Sequence, residues 1–286
     1  MSHSSKNNKL RNQVGVIGHP INHSKSPLIH NHFIHHYSLD ANYSAVSVET
    51  GDDLRRFIDN VKVNNWIGFN VTIPYKQTIL SYLDEIDQTV ETIQACNTVV
   101  IKNNRLHGYN TDAAGFYYPI QHQSFQGALV LGNGGASKAV LYQLCVMGVQ
   151  TIYVVARHPS KSELFINQLN QTFNLNIKVI TFNELSSESS ILKKVQLIVN
   201  ATSVGLNDND EVFKGMELVN HSHTFYDLIY NPWNTKMMNQ CRANAATVIN
   251  GAYMLAHQAA LAFELFFNKP ADTNVMYQLM HKDQVS

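Results

Sequence analysis

Short runs of Val, Ile and Leu recur along the chain between longer stretches patterned for helices, and the two halves do so in different styles. From Val14 to about Asp112 the runs VGVIG, YSAVSV, IGFNVTI and NTVVIK read as strands alternating with helical stretches. NTVVIK and RLHGYN are predicted to pair as a hairpin turning at Asn103 and Asn104. From Gln126 to about Ile249 the alternation is stricter. ALVLG leads into a helix ending near Met147, TIYVVA into a helix over about 162–172, and IKVIT, LIVN, TFYDLI and TVIN follow. Strands that are apolar nearly throughout, set between helices, imply a parallel sheet covered on both faces, so the fold class is α/β and the second half doubly wound. AYMLAHQAALAFELFF is apolar around much of its circumference and is expected to pack against other elements.

Length and composition narrow the possibilities. The chain has 286 residues, 44% of them hydrophobic, enough for two ordinary domains. Lys plus Arg and Asp plus Glu both number 21, and no basic block is present to neutralise a row of phosphates, which excludes nucleic acid as the expected partner. The polar opening MSHSSKNNKLRN lacks the apolar segment of a signal peptide, and no stretch has the length of a membrane span. Three cysteines, Cys96, Cys145 and Cys241, make no CxxC pair and fit a reducing cytoplasm.

The candidate chemistry begins at ALVLGNGGASKAV, where Gly132, Gly134 and Gly135 follow a strand and precede a helix. That setting suits a dinucleotide, because glycine lets the backbone approach a pyrophosphate and the helix start offers amides to its charge. Ser137 stands where the third Gly or Ala of the fingerprint is usual. At the end of the next strand a carboxylate would accept from free ribose hydroxyls, but the chain reads Ala156-Arg157-His158-Pro159-Ser160-Lys161. Two cations and no carboxylate suit a 2′-phosphate, so NADP is expected over NAD.

In GFNVTIPYK, period two sends Phe69, Val71 and Ile73 to one face and Asn70 and Thr72 to the other. Pro74 ends the strand and leaves Lys76 just beyond its carboxyl end, where open sheets place their ligands. In GHPINHSKSPLIHNHF, Ser26 reads as an N-cap with Pro27 at the first helical position, and Ser24 joins it at a helix start that attracts a small carboxylate. ACNTVV and GYNTDAAGF add Asn97 and Asp112 near a strand end and a helix start. Taken singly, these are turn and cap residues.

Together HSKSP, NVTIPYK, ACNTV, NTDAAGF, GNGGAS, NATSVG, YDLIYNP and NGAYMLAHQAALAF stand in the order of the shikimate dehydrogenase family, which this chain closely resembles over nearly its whole length. The resemblance implies NADPH-dependent reduction of 3-dehydroshikimate on the route to chorismate. It implies two domains: an N-terminal α/β substrate domain with a mainly parallel sheet (residues 1–112, with 252–286 returning to it) and a doubly wound, Rossmann-like NADP domain (residues 113–251). It also implies that Ser24 and Ser26 hold the substrate carboxylate, that Thr72, Asn97 and Gln258 bind ring hydroxyls, and that Lys76 and Asp112 are the catalytic pair, Asp112 also touching substrate. Gly132, Gly134, Gly135 and Ala136 match the pyrophosphate turn, Arg157 and Lys161 the basic loop, and Thr202 a position beside the nucleotide. Tyr230, Gly251 and Met254 match positions flanking nicotinamide and substrate. The family commonly has Asn-Arg-Thr where this chain has Ala156-Arg157-His158, and His19 replaces a frequent Asn.

Hydride arriving at a ketone carbon leaves negative charge on oxygen, so a proton donor with fixed positive charge lowers the barrier, and an adjacent carboxylate favours the charged lysine. The scheme needs no metal. His30, His32, His35 and His36 crowd one predicted helix, but without a carboxylate ligand or an HExxH pattern they read as a helix face. The expected protein is a cytoplasmic monomer or homodimer that binds a small molecule and neither nucleic acid nor membrane. A quinate-preferring or NAD-using relative, and a non-catalytic NADP-binding module, are the competing readings.

Overall fold

The computed structural model describes residues 12–187, 190–207 and 209–285; the polar segment over residues 1–11 lies outside them. The first half runs β1 (Asn12–Gly18), α1 (Ser26–His36), β2 (Ala41–Ser47), α2 (Gly51–Val61), β3 (Trp66–Val71), β4 (Glu85–Ile86), α3 (Gln88–Ile93), β5 (Thr98–Lys102) and β6 (Arg105–Tyr109). These strands form one mixed sheet in the order β2-β1-β3-β5-β6-β4. The pairs β1–β2, β1–β3 and β4–β6 are parallel, while β5 lies antiparallel to both neighbours. Asn103 and Asn104 both adopt left-handed φ, 51° and 61°, and turn β5 back as β6.

The second half runs α4 (Asp112–Tyr117), β7 (Gly127–Leu131), α5 (Gly135–Val146), β8 (Thr151–Val155), α6 (Glu163–Phe173), β9 (Lys178–Ile180), α7 (Phe182–Ser187), β10 (Leu197–Asn200), β11 (Thr224–Asp227), α8 (Lys236–Ala243) and β12 (Thr247–Asn250). All its strand pairs are parallel, in the order β9-β8-β7-β10-β11-β12. The chain starts in the middle of this sheet, builds one way, then returns past β7 to build the other, so the switch point lies between β7 and β10. Alternation along β7 sends Ala128 and Val130 into one core and Leu129 and Leu131 into the core on the opposite face.

Two helices close the chain, α9 (Ala252–Phe267) and α10 (Thr273–Val285). The small residues Ala252, Ala256, Ala259 and Ala262 let α9 lie close on the first sheet, where Phe263 and Phe266 join the core of Val14, Val16, Tyr43 and Val100. Its Met254 instead enters the core of the second half beside Phe116 and Tyr226. The helix therefore bridges both halves. The sequence pattern had not marked α10, whose Met276 and Met280 complete the first core from beyond α1.

Local signals explain the helices that hold the first sheet. Thr50 and Asp53 form a reciprocal capping box at α2, with Asp53 N donating to Thr50 Oγ1 at 3.1 Å and Thr50 N to Asp53 Oδ2 at 3.0 Å. Leu54, Phe57, Ile58 and Val61 then fall on one stripe and pack under Phe69 and Val71. The predicted extension of β3 to Ile73 needs correction. The strand stops at Val71, and Ile73 is 70% exposed because Tyr75 N donates back to Thr72 O and folds the chain out of the sheet.

Candidate active site

Lys76 and Asp112 meet at the edge where β3 ends. The turn after β3 delivers Lys76, and its backbone is pinned there by Cys96 N donating to Lys76 O at 2.7 Å. Asp112 is the first residue of α4, and its backbone N donates to Asn110 Oδ1 at 3.0 Å. The Lys76 ammonium donates to Asp112 Oδ2 at 2.6 Å, with the two side chains 19% and 8% exposed. Asn97 immediately precedes β5. Since β5 runs antiparallel to β3, Asn97 lies at the same sheet edge as Lys76, and its Nδ2 donates to Asp112 Oδ1 at 2.9 Å.

Around this pair the other substrate-side candidates divide. Gln258 on α9 approaches Asn97, its Oε1 3.4 Å from Asn97 Nδ2, and α4 comes so close here that a Cβ on Gly115 would stand 2.8 Å from Gln258 Cβ. Thr72 is partly buried, its backbone N donating to Ile17 O at 2.9 Å. Tyr230 packs against the first-half core, and burial raises its phenol above the ordinary value. The serine loop departs from the expected N-cap. Helix α1 begins at Ser26, with Lys25 before it, and Ser24 Oγ accepts from Ser26 N at 3.3 Å. Ser24 thus satisfies the amide at the helix start, and Ser26 itself is buried. Lys25 forms an ion pair with Asp283 of α10, and His19 Nδ1 lies 3.2 Å from Ser47 Oγ.

On the nucleotide side, Gly132 has φ +101°, a left-handed value that disfavours other residues. It turns the chain from β7 into α5, and Gly134 precedes the helix with no side-chain cap on its amides. Carbons added at Gly134 or Gly135 would meet nothing within 4 Å, so the turn forms an open cradle of the kind a pyrophosphate fills. Ser137, in the fingerprint's third position, is buried and donates Oγ–H to Gly134 O at 2.7 Å, which explains how the chain tolerates it there. Ala136 lies in the first turn of α5. Arg157 and Lys161 are both exposed in the loop after β8. Asn133 ties that loop to the cradle, donating to His158 O at 3.0 Å and Ser162 Oγ at 3.2 Å. Thr202, beyond β10, donates to Asn200 Oδ1 at 2.7 Å and faces Gly132. Gly251, at the start of α9, lies against Leu228 O, and Met254 one turn on is 8% exposed.

The two sides are mechanically joined. Ala113, next to Asp112, packs with Ala95 and with Ala139 of α5, so the helix bearing the carboxylate rests on the helix that the glycine turn opens. Sequence reasoning missed Asn133, and also missed Asp227, buried beneath the nucleotide-side loops. Asp227 accepts from Asn200 Nδ2 at 2.9 Å, Ile229 N at 3.1 Å and Thr235 Oγ1 at 2.7 Å. Its burial pushes the carboxyl up to about 6. The signal was the pairing of NATSVG with YDLIYNP, two polar-ended strands that turn out to be neighbours.

Among the described residues no group of three or more His, Cys, Asp or Glu side chains is placed to hold a metal ion, and no helix is long and apolar enough to cross a membrane. Cys96, Cys145 and Cys241 are free and buried.

A doubly wound nucleotide-type sheet joined to a mixed α/β unit, with a lysine–carboxylate pair between them, defines a dinucleotide-dependent oxidoreductase. Residues 16–99 match the shikimate dehydrogenase substrate binding domain and residues 251–281 the shikimate 5'-dehydrogenase C-terminal domain. A Methanosphaera stadtmanae protein named shikimate dehydrogenase (NADP(+)) is 37% identical over 262 residues, 90% of this chain and 91% of that one. A crystal structure of shikimate dehydrogenase in complex with NADP+ superposes with a TM-score of 0.87 at 30% identity, covering 96% of both chains. The Thermus thermophilus shikimate 5-dehydrogenase in complex with NADP(H) and shikimate gives 0.81 at 31% identity, covering 95% of this chain and 99% of that one. The chain belongs to the shikimate dehydrogenase family.

Proposed function

We infer that this chain is an NADP-dependent shikimate dehydrogenase, reversibly reducing 3-dehydroshikimate to shikimate. The observation that carries the reading is the 2.6 Å contact between Lys76 and Asp112, on a helix that rests against the one opened by the glycine turn.

The residues fit the cofactor. Gly132, Gly134, Gly135 and Ala136 would hold the pyrophosphate, Arg157 and Lys161 the 2′-phosphate, and Thr202, Gly251 and Met254 the nicotinamide end. When bound, NADPH supplies a hydride.

The chain's own groups manage charge and position. As negative charge grows on the substrate oxygen, Lys76 neutralises it and gives up a proton; in the reverse direction it takes the hydroxyl proton. Asp112 holds the ammonium in one place, and Asn97 fixes the carboxylate from its other oxygen. The Lys76 side chain is 19% exposed, so solvent reaches it to restore the proton. Ser24 and Ser26 take the substrate carboxylate, while Thr72, Asn97, Asp112 and Gln258 take ring hydroxyls. Tyr230 lines the same cleft. Residues 1–112 with 252–286 then form the substrate unit and 113–251 the NADP unit, a division supported by α9 packing on the first sheet. The cytoplasm is the expected compartment, given three free thiols, and the working unit is a monomer or homodimer.

Steady-state assays with shikimate or quinate, each with NADP or NAD, test the reading. The highest kcat/KM is expected for shikimate with NADP; no turnover of shikimate with either cofactor overturns it.

A further inference from the structure

Asn200 ends β10 fully buried, and its carboxamide folds the loop that follows. Its Oδ1 accepts from Thr202 N at 3.1 Å and from Thr202 Oγ1 at 2.7 Å. Its Nδ2 donates to Val204 O at 3.1 Å and to Asp227 Oδ1 at 2.9 Å. Both donor hydrogens and both acceptor positions of the amide are therefore in use. Thr202 Oγ1 also accepts from Val204 N at 3.1 Å, so residues 201–204 are wrapped around this one side chain.

Asp227 decides which way the amide faces. It ends β11, the neighbour of β10, and its carboxyl is itself held by Ile229 N at 3.1 Å and Thr235 Oγ1 at 2.7 Å. Turning the Asn200 amide over would set its oxygen against the Asp227 carboxyl oxygen and its NH2 against the Thr202 N–H. Both contacts are repulsive, and burial leaves no water to relieve them.

The consequence reaches the glycine turn. The Thr202 hydroxyl gives its only proton to Asn200, and the Thr202 methyl group faces Gly132. Ala201 N donates to Leu131 O at 2.9 Å, which ties the start of the loop to the residue before Gly132. We propose that Asn200, its amide oriented by Asp227, is a positioning residue for the cofactor, holding Thr202 with its methyl group toward the glycine turn. This rests on the shikimate dehydrogenase reading and on Thr202 as a contact of NADP. Asn200 is fully buried, so its effect on the cofactor passes through Thr202, at the scale of one or two buried hydrogen bonds.

The test is Asn200→Ala, Thr202→Val, the two combined, and Thr202→Ala, each titrated with NADP, assayed with shikimate and melted. Thr202→Val keeps the methyl group and removes the hydroxyl that Asn200 grips. Asn200→Ala and Thr202→Val are each expected to raise Kd for NADP roughly 3- to 10-fold, with KM for shikimate changed less than about twofold. Because both act on one contact, the combined variant is expected to match Asn200→Ala within about twofold. An Asn200→Ala protein that melts lower but binds NADP as wild type does shows a structural role only and overturns the proposal. So do effects of Asn200→Ala and Thr202→Val that multiply. A Thr202→Ala protein with unchanged Kd for NADP removes Thr202 as a contact and the inference with it, the activity standing. Absence of shikimate turnover in the wild type defeats the reading itself. Should Asn200→Ala not fold, Thr202→Val decides alone: an unchanged Kd for NADP overturns the proposal equally.

Discussion

Gly132, where β7 turns into α5, lies directly against Thr202 beyond β10: a Cβ built on Gly132 would stand 2.9 Å from the Thr202 methyl and 3.0 Å from Ala201 O. Two strand ends that flank the switch point are thereby packed backbone to side chain, next to the open glycine turn proposed to take the pyrophosphate.

Neighbouring glycines should therefore fail in different ways. Gly132→Ala forces a residue with a Cβ into φ +101° against a close neighbour, and is expected to cost about 1–3 kcal/mol of stability. Gly134 has an ordinary φ of −83° and open space around it, so Gly134→Ala should fold normally, its methyl group occupying the volume needed by the pyrophosphate. Denaturant melts and NADP titrations separate the two. A Gly134→Ala protein that binds NADP as tightly as wild type contradicts the cradle assignment.

Arg157 stands exposed on the loop that Asn133 ties to the cradle. Replacing it by Ala removes charge-assisted hydrogen bonds worth about 1.5–3 kcal/mol, so KM for NADP should rise roughly 10- to 100-fold. NAD has no 2′-phosphate and its KM should hardly move. Equal losses for both cofactors would show that the loop does not read the phosphate.

Asp227 gives a pH signature. Its carboxyl, raised to about 6 by burial against an ordinary value near 4, holds its proton in the folded state where the unfolded chain has already lost it. Between pH ~4 and ~6 the folded protein therefore binds more protons, and stability falls as pH rises through that window. The loss is roughly 3 kcal/mol relative to Asp227→Asn, which cannot titrate. Urea unfolding of both proteins at pH 4 and pH 7 measures it. A difference between the two that is independent of pH contradicts a raised Asp227.

Much of this was legible in the residues. The hairpin at Asn103 and Asn104 follows from side chains that tolerate left-handed φ, and the second sheet from Val, Ile and Leu runs that only two-sided burial explains. Lys76, Asn97 and Asp112 were found through ordered motifs, but their convergence depends on β5 running antiparallel to β3, which no local pattern encodes. Ile73 was misplaced because period two was carried past the point where the backbone leaves the sheet. A hydroxyl before a helix usually reads as its cap, but here Ser26 is the buried first residue of α1 and Ser24, two residues earlier, accepts from its amide. Helix α10 was missed because its apolar positions gain meaning from partners distant in sequence, in α1, in α9 and at Trp233.

The central claim is that the Lys76 ammonium, held by Asp112, performs the proton transfer. Lys76→Ala should fold and bind shikimate within a few-fold of wild type, while kcat for shikimate oxidation by NADP drops by about 10² or more, the scale of lost general acid–base catalysis. A variant that binds shikimate and turns it over at close to the wild-type kcat would contradict the account at its root.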